Sequence, residues 1–390
     1  MATTDWTKIR QDFPVAENIT YFQSAGMSPL PNVVLRKIME EYRKLNQFGD
    51  AFFQKDFSEA YEVRKKIAGL INADVNDVGF SWNNSLAMSI LALSWKNKYQ
   101  TPFNIVSMEE EFPSNSVPFE YQGITMKYVS HENHGYPIDK ILSLIDNDTK
   151  ALVTSYTQYA SGFRQDIETL GTELKKRNIL FIVNGTQAFP LYPVDVEKMN
   201  IDVFTCSMHK WGFTGHIGTL FYTSETFRKT FPSPIAGWLS VQPQENEWFY
   251  TGKGKEFSLY DSADRYFTGT YNLQGILAAG VAFNYLSGIG FEEIRNRITE
   301  LTDYLIEKLS SLPVKIISPV NSNEERSAIV CFDLEELPPE ECIKYLEHRG
   351  IYTSLRLGHI RVSVNIFNNN ADIDKLCDAV DVFIRTFYEK

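Results

Sequence analysis

The chain alternates short apolar runs with amphipathic stretches from about residue 58 onward. "SEAYEVRKKIAGLI" places Ala60, Val63, Ile67 and Leu70/Ile71 on one face and predicts a helix, with Ser58 as its N-cap. "LAMSILALSW" (86–95) is nearly all apolar and predicts a buried helix. "NIVS" (104–107), "ITMKYV" (124–129), "ALVTS" (151–155), "ILFIV" (179–183), "DVFTCS" (202–207) and "GTLFYT" (218–223) are short, apolar and rich in strand formers. Helical patterns such as "PIDKILSLI" and "DIETLGTELKKR" separate several of them. Continuous apolar strands between helices predict a mostly parallel sheet covered on both faces, an α/β sandwich. Past about Tyr271 the pattern changes to two long helices, then strands "VKII" and "AIVCFDL", helix "PPEECIKYLEHRG", strand "HIRVSV" and a closing helix over 371–387. That predicts a smaller α+β domain. The segment 224–268 reads as a long loop region beside a site.

Composition changes this picture little. The 390 residues are 43% hydrophobic and 22% charged, an ordinary globular balance long enough for two domains. The net charge of −11 argues against a nucleic-acid or anionic-membrane partner. The start lacks the apolar core of a signal peptide and no apolar run approaches span length, so a cytoplasmic location is expected. Cys206, Cys331, Cys342 and Cys377 form no CxxC pair and read as small buried thiols.

In an open α/β sheet, ligands bind at the carboxyl ends of strands, so those ends are the candidates. Asn83, Asn84 and Ser85 precede the apolar helix as an anion site or as a plain N-cap. Phe112 is a platform for a flat ligand or a core aromatic. The run Glu109 to Glu111 reads as a solvated face. Gln158 or Tyr159 points into a cleft after "ALVTS". Asn184 and Gln187 follow one strand, and Ser207, His209 and Lys210 another. A lysine there is a surface cation, or a desolvated amine of lowered pKa that forms a Schiff base with an aldehyde. "HENH" (131–134) has HxxH spacing without a third ligand, so no metal is expected. "SGIG" and "GKGK" lack a nucleotide-loop context.

From "YFQSAGMSPLP" (21–31) through "NGTQAFPLYPVDVEKMNIDVFTCSMHKWGFTGHIGTLFY" to "RVSVNIFNN", the chain resembles the class V aminotransferase and cysteine desulfurase group of fold-type I pyridoxal 5′-phosphate (PLP) enzymes. The resemblance implies a large, mostly parallel, seven-stranded-type sheet between helices plus the smaller C-terminal domain. The implied division is an N-terminal segment 1–20 packing with the small domain, a PLP-binding domain 21–270 and a small domain 271–390. It implies that Lys210 holds PLP as a Schiff base and moves the substrate α-proton. Asn84, Ser85, Ser207 and His209 match phosphate contacts, Phe112 the stacking position and Gln187 a partner of the ring hydroxyl. Gly269 and Thr270 match a pair that reaches the neighbouring subunit's phosphate, which implies a homodimer. Arg361 matches the clamp on a substrate carboxylate; taken alone, it is a surface or salt-bridge residue. Gln158 joins the cofactor set, and "QSAG" places Ser24 and Gly26 near the substrate.

Two departures stand out. The link "GIYTSLRLGHIR" before Arg361 carries no cysteine, against a persulfide mechanism. Asn184 stands where the group has an Asp paired with the pyridine nitrogen. An amide cannot neutralise a positive charge, so a weaker electron sink and slower transamination are expected. The reading is thus a PLP enzyme acting on the amino group of a small-molecule amino acid. The alternatives are a β-eliminating lyase, which a neutral ring partner would suit, and a PLP-binding protein with reduced turnover. Aromatics at 236–268, among them Trp238, Trp248 and Tyr260, are candidates for the substrate pocket or for packing.

Overall fold

The computed structural model describes residues 4–245, 247–252 and 256–388; "GKGK" therefore lies, apart from Gly252, outside the described residues. After a short β1 (Thr20–Tyr21), seven strands build the main sheet: β2 (Val78–Ser81), β3 (Asn104–Met108), β4 (Thr125–Val129), β5 (Thr149–Ser155), β6 (Leu180–Asn184), β7 (Val203–Ser207) and β8 (Thr219–Thr223). Their order is β2-β8-β7-β6-β5-β3-β4, and β8 alone runs antiparallel to its neighbours. The carboxyl ends of β2, β3, β5, β6 and β7 therefore share one edge.

Alternation along the strands explains their unbroken apolar character. Leu152, Phe181, Val183 and Phe204 enter one core layer, while Val153, Ile182, Val203 and Phe221 enter the other. The helix Asn84–Lys98 covers the second layer through Met88, Leu91 and Trp95. Ile167–Lys176 covers the first through Leu170 and Leu174.

The smaller sheet, ordered β12-β13-β10-β9, consists of β9 (Lys315–Ile316), β10 (Ile329–Asp333), β12 (Ser354–Arg356) and β13 (His359–Ser363). Beside it, β11 (Ile351–Tyr352) pairs with β1, and Phe13 and Phe22 lie in the small domain's core cluster. The N-terminal segment is thus stitched to the C-terminal part. Helix Leu273–Ile289 buries Ile276 and Leu277 against the helix Phe53–Leu70, so by packing its start belongs with the large domain.

Three local expectations change. Helix Phe53–Leu70 starts five residues ahead of Ser58, which lies inside it and caps nothing. The helix Asn32–Phe48 has no counterpart in the sequence reading; its apolar residues Leu35, Met39, Tyr42, Leu45 and Phe48 point to solvent rather than to a core. The segment 224–268 contains a helix, Glu225–Thr230, and a 3-10 turn, Ala263–Tyr266.

Candidate active site

At the shared strand edge a cavity of about 260 Å³ opens between the two domains. Its walls include Gly26, Asn84, Phe112, Asn184, Gln187, Ser207, His209, Lys210 and Arg361 from the sequence reading. Tyr159, also named from the sequence, lines it too, and Ala25, Ser114, Ser155, Thr186 and Arg356 complete it. Each strand end supplies its part. Asn83 caps the helix after β2, accepting the Leu86 N–H at 2.9 Å, and so leaves Asn84 free to face the cavity. Gly185 turns the chain after β6, where a Cβ would come within 2.2 Å of the buried Phe204 ring; only glycine lets Asn184 and Gln187 flank that turn.

Lys210 Nζ lies 5.7 Å from the Phe112 ring centroid. Burial pushes its pKa down to about 7, and the nearby Arg361 and Arg356 charges add to the effect. The amine is therefore a free nucleophile at a pH where an ordinary lysine is protonated. Burial, followed by the Lys210 and His216 charges, pushes His209 down to about 4, so its ring is neutral at pH 7. Arg361, 1% exposed, donates Nε to Ser354 Oγ (3.1 Å) and Nη1 to the Tyr159 carbonyl (2.9 Å).

None of Lys210, Arg356 and Arg361 has a carboxylate partner among the described residues. Arg361 Nη2 and Asn84 Oδ1 are buried without any hydrogen bond. The free Arg361 Nη2 donor and the two arginines without a carboxylate partner mark a place for an anionic ligand, whereas Asn84 Oδ1, an acceptor, would take a hydrogen bond from a donor group. Phe112, 44% exposed, offers a ring face to it. The set fits a flat, phosphate-bearing aldehyde.

Not every candidate reaches the cavity. Ser85 is exposed outside it, and its carbonyl accepts the Ser89 hydroxyl. Ser24 is fully buried and does not line the cavity. Gln158 donates to Glu111 instead (2.9 Å). Gly269 borders a different hollow, with Trp82 and Tyr271, and Thr270 is exposed. Gln187 is present but engaged: Nε2 donates to the Ala25 carbonyl at 2.8 Å, and Oε1 accepts from Trp211 Nε1 at 3.1 Å. One amide hydrogen remains for a ligand. Trp238, Trp248 and Phe249 pack on one another and on Phe53 rather than on the cavity. All four cysteines are buried and none lines it; burial pushes Cys206 upward, as expected of a packing thiol.

Two expectations about charged residues are corrected. Glu111 is not on a solvated face: it is 8% exposed and bonded inside the fold. "HENH" does meet a third group, since Glu110 lies 3.5 Å from both His131 Nε2 and His134 Nδ1. The two rings stack at 4.4 Å and 13°, however, and an ion must lie near the plane of each imidazole it binds. Near-parallel stacked rings do not offer that, so the cluster is a stacked pair held against the Glu110 carboxyl group.

The fold and the cavity define an enzyme that uses a lysine amine on an anionic, planar cofactor. The aminotransferase class-V model matches residues 20–376, and the chain belongs to that family; its cofactor is PLP. It is 26% identical to a probable cysteine desulfurase of Streptomyces coelicolor (98% of each chain). It is 25% identical to one of Synechocystis, over 97% of this chain and 96% of that one. A cysteine desulfurase from Thermococcus onnurineus solved in its apo form superposes with a TM-score of 0.89 at 20% identity, covering 99% of this chain and 100% of that one. A cystine C–S lyase solved with its product cysteine persulfide gives 0.85 at 19%, covering 95% and 99%.

The depressed lysine makes a direct prediction. When cofactor-free protein is mixed with PLP and followed by visible absorbance, the capture rate should rise across about pH 7 and then level off. A rate still climbing toward the ordinary lysine value of about 10.4 would contradict the burial of Lys210.

Proposed function

We propose that the protein is a PLP-dependent lyase that eliminates a sulfur-linked group from Cβ of an amino acid, without a thiol of its own. The observation that carries this is the cavity wall. It combines a neutral-capable amine and an arginine with a free Nη2, but no cysteine. The relatives are desulfurases, and a structural neighbour is a C–S lyase.

PLP supplies a Schiff-base linkage to the amino group and a ring that withdraws electrons from Cα. Around it, Arg361 Nη2 binds the substrate carboxylate and fixes Cα near Lys210. The Lys210 amine takes the α-proton. The electron pair left at Cα forms the Cα–Cβ double bond, and the sulfur group departs with the electrons of the C–S bond. The Lys210 amine would then take back its own link to the cofactor and so displace the product as an enamine, which takes up water to give pyruvate and ammonia. His209, neutral and buried beside Lys210, leaves the amine as the group that titrates there.

The protein incubated with cystine or an S-substituted cysteine should release pyruvate in step with the sulfur product. Amino-group exchange dependent on an added oxo acid, with no pyruvate, would overturn the reading and favour the aminotransferase alternative.

We also propose that two copies associate. The solvent-facing stripe Leu35, Met39, Tyr42, Leu45 and Phe48 is an apolar helix face that a second copy would cover. Gly269 and Thr270, away from their own cavity, would then act toward the partner's.

A further inference from the structure

One buried carboxylate lies directly behind the cavity wall and has no role in the scheme above. Glu111 follows β3 and forms no ion pair among the described residues. Its oxygens accept from the Ser155 N–H (2.5 Å), Ser155 Oγ (2.7 Å), Gln158 Nε2 (2.9 Å), Asn115 Nδ2 (2.7 Å) and the Phe112 N–H (3.3 Å). Five donors converge on its oxygens, two of them backbone N–H groups, an arrangement that suits a carboxylate. An uncompensated buried charge is costly to keep.

From Glu111 a chain of two amides leads to the cavity. Asn115 Nδ2 donates to the carboxylate, and Asn115 Oδ1 accepts from Asn184 Nδ2 at 2.9 Å. Asn184 Oδ1 accepts the Thr186 N–H at 3.0 Å. The direction is fixed at both ends. A carboxylate can only accept, and a backbone N–H can only donate, so neither amide can be reversed. All three side chains are buried. Each amide is therefore polarised the same way, pushing electron density onto Asn184 Oδ1, which uses one lone pair on Thr186, and Asn184 lines the cavity.

We propose that Glu111, acting through Asn115 and Asn184, is the positioning residue that supplies negative charge to the cofactor's ring nitrogen, so that Asn184 accepts a hydrogen bond from a protonated ring. The proposal rests on the PLP reading. It replaces the expectation of a weakened electron sink: the charge absent from the strand end has been set back by two amides. It also says why an Asp at position 184 would not simply be better. A carboxylate there would face Asn115 Oδ1, and turning Asn115 to meet it would aim that oxygen at Glu111.

The test is nitrogen-15 NMR of protein loaded with ring-labelled PLP at pH 8, where the shift reports directly whether the ring nitrogen is protonated. In the natural sequence the nitrogen should be protonated. In Glu111→Gln the neutral-to-protonated ratio should rise about tenfold, the order expected for one charge about 10 Å away at an effective dielectric of about 20. The double variant Glu111→Gln with Asn184→Asp should restore protonation, since it returns one carboxylate to the chain. A neutral ring nitrogen in the natural sequence overturns the proposal, even if every variant fails to fold. So does a Glu111→Gln protein that binds PLP with the nitrogen still fully protonated, which would make Glu111 a structural tie between the ends of β3 and β5. Failure of the natural protein to take up PLP, seen first as a missing visible band, overturns the underlying reading instead.

Discussion

Lys210→Ala is expected to lose the visible absorbance of the lysine-bound cofactor and to lower turnover by ~10³-fold or more, since one residue serves as both covalent anchor and proton carrier. The fold should survive. The substitution removes an amine whose charged form is penalised by burial, so a thermal melt of the cofactor-free variant should match or exceed that of the natural protein. An unchanged visible band in this variant would assign the Schiff base to another lysine. Loss of the melt together with the band would instead assign Lys210 a structural role, which its lack of ion-pair partners among the described residues argues against.

Arg361→Ala has the second largest expected effect, on substrate capture. A guanidinium buried to 1% exposure with a free Nη2 is prepared for a carboxylate that it does not find among the described residues. Removing one side of such a buried, charge-assisted pair costs about 2–5 kcal/mol, so kcat/KM should fall by roughly 30-fold to several thousand-fold, mostly through KM. Arg361→Lys should recover little, because Nε and Nη1 are also used, toward Ser354 and Tyr159, and an ammonium cannot reproduce that fork. Amino-acid amides lacking the carboxylate should be affected far less than amino acids. An equal loss for both would mean that Arg361 acts by holding β13 against Tyr159 rather than by binding substrate.

The sheet and the lysine were legible because their signals are local. Runs such as "LFIVN" and "VFTCS" are apolar on both faces, so β6 and β7 declare themselves, and Asn184 and Lys210 fall at their ends. Arg361 was legible only by resemblance, since a strand arginine carries no local mark of its missing partner. Arg356 went unseen for the same reason. Glu111 was misread because three consecutive glutamates look alike in sequence. The turn after Met108 leaves Glu109 exposed and folds Glu111 under Ser155, and that sorting depends on β5, some forty residues on. Asn115 was hidden likewise, since it acts through Glu111 and no spacing rule links the two, while Gln158 was named for the cleft but turns to Glu111 instead. The helix Asn32–Phe48 escaped because its apolar stripe faces outward, where a burial argument gives the wrong side. The meaning of Asn184 shifted most. Alone it is an amide where a charge was wanted; in its chain it is the near end of a buried carboxylate's reach.

The central claim is that the strand-edge cavity is a PLP site anchored on Lys210. It is tested most directly by reducing the PLP-loaded protein with borohydride, digesting it and locating the fixed phosphopyridoxyl group by mass spectrometry. The account predicts a single modified peptide, the one carrying Lys210. A label on any other lysine, or none despite bound cofactor, would contradict it.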